Sequence, residues 1–310
     1  MAATPSVGRI IITGATGFLG RAFMEQRSPD IPYSIVVRRG SAVEGADAII
    51  GDVREPGVWQ DAVAQSGATH VVYLAGVRTG SLTELDAVHC AGLRNVLQPL
   101  RTRPPWVLFV SSGAVYGEQS ADQFPLVEHT LPRPISEYAA SKWRAEQWLQ
   151  GEVAAGRVAG ACVVRPANLI GPGMSRDFFL GKLLDAMCAR VHRPELLDIP
   201  IDVGSLAVSR DFVDVRDVVV GLHCLVRASV RGVFNMGSGR ETWLQALVQL
   251  VQDAVHLPVQ LVEDVEQRMV VIRRQALSVE AIRAVVGWCP QLTLQQSVTD
   301  IWHAMPNGAR

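Results

Sequence analysis

The chain lacks the features that mark disulfide-bonded, metal-binding and membrane proteins. Its five cysteines are scattered, odd in number and never spaced Cys-x-x-Cys: Cys90, Cys162, Cys188, Cys224 and Cys289. Buried free thiols in a reducing cytosol are therefore expected, and no metal site. Residues 1–9 hold no apolar segment of a signal peptide, and no apolar run approaches the length of a membrane-spanning helix. We expect a cytoplasmic protein with no membrane partner.

The chain also lacks an excess of charge of either sign. The formal net charge is −1 over 310 residues, so neither a nucleic acid nor an anionic membrane surface is an expected partner. Hydrophobic residues make up 48% of the chain and charged residues 19%, which is typical of a globular protein. The length allows one large domain or two modest ones.

A glycine-rich turn near the N-terminus predicts a dinucleotide site. The β-branched run Arg9–Thr13 suits a buried strand, and a helical stretch follows the turn. Glycines at this spacing allow a tight turn and a close approach to pyrophosphate, which the helix N-terminus favours. The predicted contacts are Gly14, Thr16, Gly17, Phe18, Leu19 and Gly20. The alternative is a glycine-rich turn without a ligand.

The ends of the next strands refine the cofactor prediction. Strand 33–37 ends in Arg38-Arg39, and arginine suits the 2′-phosphate of NADP where an acidic residue would suit NAD. Alternatively, the two arginines only solvate a strand end. Asp52 is placed to accept a hydrogen bond from an adenine amino group, and Val53 beside it is a further predicted cofactor contact. Strand 69–76 ends in Leu74, Ala75 and Gly76, and we expect this stretch, with its small residues, to line the path of the cofactor.

Strands and helices alternate through six units, which predicts an α/β fold with a doubly wound parallel (Rossmann) sheet. Strand 106–110 delivers Ser112 at its carboxyl end, where ligands of such sheets bind. Tyr138 and Lys142 are four residues apart on a predicted helix and share one face. We expect the Lys142 cation to lower the pKa of Tyr138 and make the phenol a proton donor or acceptor.

The texture of the sequence changes after Arg165-Pro166, where prolines interrupt the chain. We predict an NADP-binding Rossmann domain over residues 1–165, to which residues 214–235 return. Residues 166–213 and 236–310 then form a smaller α/β substrate-binding lobe.

Taken together and in order, these motifs resemble the extended short-chain dehydrogenase/reductase family of nucleotide-sugar epimerases, dehydratases and reductases. The resemblance is carried by Gly14-x-x-Gly17-x-x-Gly20, Gly51-Asp52, residues 111–117, Tyr138-x-x-x-Lys142, residues 165–173, residues 210–217, Phe234-Asn-Met-Gly-Ser-Gly239 and Gly287-Trp-Cys-Pro290. Within the family, Gly204-Ser-Leu followed by residues 210–217 looks most like GDP-4-keto-6-deoxymannose reductases. The resemblance also implies a homodimer, with helices at 82–100 and 136–156 as its surface.

The resemblance implies a role for each site residue. Ser112 would hydrogen-bond the reacting oxygen, Tyr138 would exchange its proton, and Lys142 would hold the nicotinamide ribose. Arg210 and Arg268 would bind the substrate diphosphate, since a guanidinium makes paired bonds to phosphate. The remaining implied contacts are Gly113 and Asn168 with substrate and Pro166 with cofactor. Alternatively, Arg210 forms an ion pair with Asp211 or Asp214, and Asn168 caps a loop.

Two positions depart from the family pattern. His89 stands where relatives often carry asparagine, which puts a water-mediated proton path there in doubt; we expect His89 to be packed. Asp177 stands near an asparagine that many relatives use on the diphosphate, and a carboxylate there would repel phosphate unless it turns away. A nucleotide-sugar substrate could therefore be bound differently, or the substrate could be another compound.

The residues narrow the expected reaction. Dehydratases of the family carry an Asp-Glu pair directly after the serine or threonine, but this chain has Gly113 and Ala114. These two residues cannot transfer protons, so we do not expect a dehydratase. The paired arginines favour an NADPH-consuming reductase. The resemblance then implies a nucleotide-linked 4-keto-6-deoxy sugar as the substrate that is reduced. The alternatives are an NAD-dependent nucleotide-sugar 4-epimerase and a non-catalytic NADP-binding sensor.

Overall fold

A seven-stranded parallel sheet forms the centre of the molecule, as the strand–helix alternation predicts. The computed structural model describes residues 7–41, 46–193, 200–203, 205–263 and 272–305. The strands of this sheet are β1 (Arg9–Thr13), β2 (Tyr33–Val37), β3 (Asp47–Ile50), β4 (Ala68–Tyr73), β5 (Trp106–Val110), β6 (Gly160–Pro166) and β11 (Gly232–Met236). Their order is β11-β6-β5-β4-β1-β2-β3. From β1 the sheet grows first to one side, through β2 and β3, and then to the other, from β4 onwards. The carboxyl ends of the parallel neighbours β1 and β4 therefore border a crevice.

Helices cover both faces of the sheet. They are α1 (Phe18–Glu25), α2 (Trp59–Gln65), α3 (Leu82–Asp86), α4 (Gly92–Leu97), α5 (Glu137–Ala154) and α7 (Val215–Arg227). The strands are apolar on both sides because both sides are buried. Ile10 and Ile12 join one core with Phe23 and Leu222, whereas Ile11, between them, joins the opposite core with Leu149. The period of two in the strand thus divides one hydrophobic run between two cores.

The helix that the sequence predicts over 82–100 is interrupted. A π-helical turn, Ala87–Ala91, separates α3 from α4. The Tyr73 hydroxyl donates a 2.6 Å hydrogen bond to the Val88 carbonyl within this turn. A side chain from β4 thus binds a carbonyl in the widened turn, which carries His89 into the interior.

A smaller α/β lobe lies beside the sheet. It contains α6 (Phe179–His192), α8 (Leu244–Val255) and α10 (Leu294–His303), and the short strands β7 (Asn168–Ile170), β8 (Ile201–Val203), β9 (Ser209–Arg210), β10 (Phe212–Asp214), β12 (Thr242–Trp243) and β13 (Leu261–Glu263). These strands pair as β7 with β10, β9 with β12 and β8 with β13. Leu184, Leu247 and Trp302 pack together from α6, α8 and α10. Helix α9 (Glu280–Val286) instead packs against β11 and α7, and its Ile282 belongs to the same core as Ile10. Within the described ranges, no helix combines the length and apolar character needed to cross a bilayer.

Candidate active site

The glycine turn after β1 forms one wall of a cavity of about 350 Å³, here called the glycine-loop cavity. Gly14 has φ of +73°, and a Cβ there would lie 2.6 Å from the Ala75 nitrogen. A Cβ on Gly20 would lie 2.0 Å from the Gly14 carbonyl oxygen, so Gly20 lies beneath the turn and lets α1 approach it. The predicted residues that line the cavity are Gly14, Thr16, Gly17, Arg38, Asp52, Val53, Leu74, Ala75 and Gly76.

The turn is suited to phosphate. Gly17 is the N-cap of α1 and provides no side-chain cap, so the free N–H groups of the first turn remain available beside the cavity. The helix dipole adds a favourable field for an anion at this end. The residues present therefore fit the pyrophosphate of a dinucleotide.

Two cations line the far end of this cavity, where an adenosine would lie. Arg38 is exposed on the wall, whereas its neighbour Arg39 lies on neither cavity wall. Arg54 is the second cation, and it binds the Asp52 carboxylate through contacts of 2.6 to 3.1 Å. Its hydrogen bond holds the pKa of Asp52 below the usual range. Arg54 was missed in the sequence, although its place two residues after Asp52 was a usable signal.

A second cavity of about 620 Å³, here called the serine–tyrosine cavity, collects the predicted catalytic residues. Ser112 follows β5 and caps a short 3₁₀ turn, where its Oγ accepts from the Ala114 N–H at 3.1 Å. Tyr138 and Lys142 come from α5. Leu74, Gly76 and Val77 line both cavities and so join them. The other predicted residues on this second wall are Phe18, Leu19, Pro166, Asn168 and Arg210.

The Tyr138 phenol is partly buried and close to Ser112. Burial raises the pKa of Tyr138 above its ordinary value, while a hydrogen bond with the Ser112 side chain and the charge of Arg78 act in the opposite direction. The phenol is therefore protonated at neutral pH and able to give a proton to a group that approaches Ser112.

Lys142 does not lower the pKa of Tyr138, which corrects the expectation from their spacing. Its Nζ donates a 2.8 Å hydrogen bond to the Val110 carbonyl and lies 5.0 Å from the Phe109 ring centroid. The ammonium is thus directed at the end of β5. Burial lowers the pKa of Lys142 to about 7, and the nearby Glu146 carboxylate opposes that shift.

A buried ion pair lies behind the predicted catalytic residues. Glu146, one turn after Lys142, binds Arg165 with contacts of 2.6 to 3.2 Å, and both side chains are almost completely buried. The Ser111 hydroxyl also donates to Glu146. The pair fixes α5 against β5 and β6, and truncating either partner would leave a buried charge.

Arg210 reaches the serine–tyrosine cavity without a carboxylate partner among the described residues. Its Nη1 donates to the Ser209 carbonyl at 2.7 Å. Asp214 binds Arg216 instead, and buried Asp211 accepts from Ser238, Gly239 and Leu277. The ion-pair alternative for Arg210 therefore fails within this part of the chain.

The other predicted substrate residues divide into three groups. Asn168 lines the cavity, while its Nδ2 donates to the Asp211 carbonyl at 3.0 Å and to Gln275 at 3.1 Å. Gly113 is buried behind the wall, where a Cβ would lie 2.9 Å from Leu277. Arg268, like Gly204, lies outside the described residues. Asp177 is exposed and accepts a 2.9 Å hydrogen bond from Ser175, so its carboxylate is occupied at the rim.

The sequence did not indicate the apolar side of the cavity. The apolar lining residues that it missed include Leu169, Ile170, Met174, Phe178, Phe179, Phe212 and Leu244. Arg78 is a further lining residue that was not predicted. Arg78 directly follows the predicted Leu74–Gly76 stretch, which was a usable signal. The aromatic residues come from the second lobe and meet the cavity only through tertiary packing.

No metal centre is present within the described ranges: no three His, Cys, Asp or Glu side chains there form a group that could hold an ion. The five cysteines are all free, but only Cys162 is fully buried. The expected burial of the thiols therefore holds for Cys162 alone.

Comparison with known proteins matches residues 10–237 to the NAD dependent epimerase/dehydratase family. The chain is 30% identical to the GDP-6-deoxy-D-mannose reductase of Pseudomonas aeruginosa over 306 residues, covering 94% of this chain and 95% of that protein. It is 25% identical to the dTDP-L-rhamnose 4-epimerase of Burkholderia thailandensis, with 94% and 93% covered. The solved structure of RMD from Pseudomonas aeruginosa complexed with NADPH has a TM-score of 0.77 and 27% identity, with 96% of each chain covered.

Proposed function

Because the chain belongs to the NAD-dependent epimerase/dehydratase family, within the extended short-chain dehydrogenases/reductases, we propose that it is an NADPH-dependent reductase of a nucleotide-linked 4-keto-6-deoxy sugar. The observation that carries this proposal is the position of Ser112 and Tyr138 on a cavity that shares Leu74, Gly76 and Val77 with the glycine-loop cavity. A carbonyl beside the two hydroxyls would thus lie next to the nicotinamide end of a dinucleotide.

The residues divide the chemistry between them. NADPH, when bound, supplies the hydride that the carbonyl carbon accepts. Tyr138 gives its phenolic proton to the carbonyl oxygen, and Ser112 stabilises the charge that develops on that oxygen. Lys142 holds the cofactor ribose, and the charge of Arg78 favours the phenolate left on Tyr138. The products are an alcohol and NADP⁺, and solvent reprotonates the phenol after turnover.

The substrate would lie between Ser112 and Arg210. Arg210 has no ion pair in the described chain, so its guanidinium is available for the diphosphate. The apolar rings of Phe178, Phe179 and Phe212 suit the apolar surface of a deoxy sugar and its nucleoside. This assignment places substrate recognition in residues 166–213 and 236–310, and cofactor binding in residues 1–165 and 214–235.

A 4-epimerase is the second candidate, because a dTDP-L-rhamnose 4-epimerase covers nearly the whole chain. Arg38 on the cavity wall supports the reductase, since a reductase exchanges NADPH whereas an epimerase regenerates its cofactor in every cycle.

The deciding experiment incubates the protein with NADPH and GDP-linked 4-keto-6-deoxymannose. We expect one NADPH to be oxidised for each keto sugar consumed, and mass spectrometry to find a product that has gained two hydrogens. Interconversion of sugars without loss of NADPH would identify an epimerase. NADPH binding without turnover of any keto sugar would contradict both reactions. Light scattering of the same sample tests the proposed homodimer.

A further inference from the structure

The side chain of His89 lies between the backbone that lines both cavities and the helix that carries Tyr138. It is fully buried and is placed there by the π-helical turn between α3 and α4. We propose that His89 is a positioning residue that, as one fixed tautomer, binds the Val77 backbone to α5 and so aligns the cofactor wall with Tyr138. The turnover part of this inference rests on the proposed function, but its cofactor-binding part does not.

One ring nitrogen binds the cofactor wall, by which we mean the backbone of residues 76–77 that lines both cavities. The Val77 N–H donates to His89 Nε2 at 3.3 Å. An imidazolium has no acceptor nitrogen, so this bond requires an unprotonated Nε2 and places the single proton of the neutral ring on Nδ1. Burial and the neighbouring Lys142 cation lower the pKa of His89 to about 2, which agrees with a ring that stays neutral.

The other ring nitrogen holds the catalytic helix. His89 Nδ1 donates to Ser141 Oγ at 2.7 Å, and the Ser141 hydroxyl donates to the Tyr138 carbonyl at 2.9 Å. The edge of the imidazole also meets the Tyr138 ring, with 5.7 Å between centroids and 77° between planes. His89 therefore reaches Tyr138 in two ways, through Ser141 to the backbone carbonyl and directly at the ring.

The direction of these bonds argues against a proton relay through His89. Every donor in the series from Val77 to Tyr138 already has its acceptor, and the series ends on a backbone carbonyl. A proton could pass through the ring only if the bond to Val77 were broken. A Cβ on Gly76 would lie 3.4 Å from both His89 Nε2 and Lys142 Nζ. The two nitrogens therefore flank the same residue of the cavity wall. The histidine fixes that wall while the lysine provides the charge.

Two substitutions of His89 each remove one of its two hydrogen bonds and keep the other. In His89→Gln, the side-chain oxygen can reach the place of Nε2 and accept from Val77, but the donor to Ser141 is lost. In His89→Asn, the amide can take the place of Nδ1 and donate to Ser141, but Val77 loses its acceptor. Ser141→Ala serves as the match for His89→Gln, because it removes the same bond from the other partner and leaves the bond to Val77.

We expect His89→Asn to weaken NADPH binding about tenfold, as the loss of one buried hydrogen bond implies. His89→Gln and Ser141→Ala should bind NADPH within about twofold of the original protein but lower kcat about tenfold. Fluorescence titration gives the Kd for NADPH without any sugar, so it tests the inference even if the reductase assignment fails.

Three results would overturn the inference. The first is a parallel loss of NADPH affinity and kcat in all three variants that follows the fall in Tm, which would indicate a general packing role. The second is no change in either parameter. The third is a shifted pH profile of kcat with unchanged Kd in all three variants, which would indicate proton relay.

Discussion

The guanidinium of Arg78 lies over the ring of Phe178, with 4.0 Å between the guanidinium carbon and the ring centroid. Arg78 follows β4 in the sheet domain, whereas Phe178 directly precedes α6 in the smaller lobe. Both side chains line the serine–tyrosine cavity, and the Arg78 charge acts on Tyr138. A cation–π contact thus joins the two lobes at the cavity wall and holds a positive charge near Tyr138.

This contact predicts energetic coupling between the two residues. We expect Arg78→Ala and Phe178→Ala each to lower kcat/KM for the keto sugar, and the double variant to lose about two- to fivefold less than the product of the two single losses. The four proteins are compared at one pH and saturating NADPH. Arg78→Lys keeps the charge without the planar group, so its kcat/KM should lie between those of the original protein and Arg78→Ala. Strictly multiplicative losses would contradict the coupling.

Replacing the Tyr138 phenol tests the proposed reaction itself. Tyr138→Phe removes one hydroxyl from the cavity and leaves the glycine-loop cavity unchanged, so NADPH should bind within about twofold of normal while kcat falls about 10²- to 10⁴-fold. Tyr33→Phe is the matched control, since it makes the same change in β2, on neither cavity wall, and should leave kcat unchanged. Comparable turnover in the two variants would remove Tyr138 from the mechanism.

The two adjacent arginines after β2 offer a test of cofactor choice. Arg38 lines the glycine-loop cavity and Arg39 does not. Arg38→Ala should weaken NADPH binding about tenfold while NADH binding stays nearly constant, because only NADPH carries the 2′-phosphate. Arg39→Ala should change neither affinity by more than about twofold. Equal effects on NADPH and NADH in Arg38→Ala would show that the arginine does not read the 2′-phosphate.

The sequence predicted the parts of the site that depend on local conformation. The glycine turn needs the φ of Gly14 and the close contact at Gly20, and the doubly wound sheet follows from buried strands such as Ile10–Ile12. Ser112 could be placed because the carboxyl end of a parallel strand has a fixed position in the sheet. The doubly wound sheet is confirmed in the fold. The glycine turn and Ser112 each depend on a few adjacent residues, and they follow β1 and β5 in that sheet.

Features that depend on packing between distant segments could not be predicted. The spacing of Tyr138 and Lys142 placed both on one helix face, but it did not reveal that Val110 would accept the hydrogen bond from Nζ. The π turn at His89 depends on Tyr73 from a neighbouring strand, and the aromatic wall depends on a lobe distant in sequence. A periodic pattern contains no record of such partners.

Substrate anchoring should depend on the shape of a guanidinium as well as on its charge. We expect Arg210→Ala to raise KM for the nucleotide sugar about tenfold or more with unchanged NADPH affinity, and Arg210→Lys to restore only part of the loss because an ammonium makes no paired bonds. Arg103→Ala, an exposed change before β5 on neither cavity wall, is the control. An unchanged KM in Arg210→Ala would place the diphosphate elsewhere.

Burial of Lys142 should make stability depend on pH in a defined window. Its pKa is about 7 in the folded protein, below the ordinary value of 10.5, so between these values the unfolded chain binds more protons than the folded one. Stability contributed by this residue must then rise with pH across that window, and the cost of burying the charge is complete only below it.

The measurement is urea unfolding of the original protein and of Lys142→Met at several pH values. Methionine fills a similar space without a titrating group, and subtraction cancels the other residues that titrate in this range, including the tyrosines. The free energy of unfolding of the lysine protein, relative to the methionine variant, should rise by roughly 1 kcal/mol per pH unit between about pH 7.5 and 9.5. A flat difference would mean that Lys142 keeps an ordinary pKa, and a falling one that its charge is stabilised by the folded protein. Either result would contradict the claim that burying the Lys142 ammonium against Val110 lowers the free energy of unfolding of the cofactor-free enzyme.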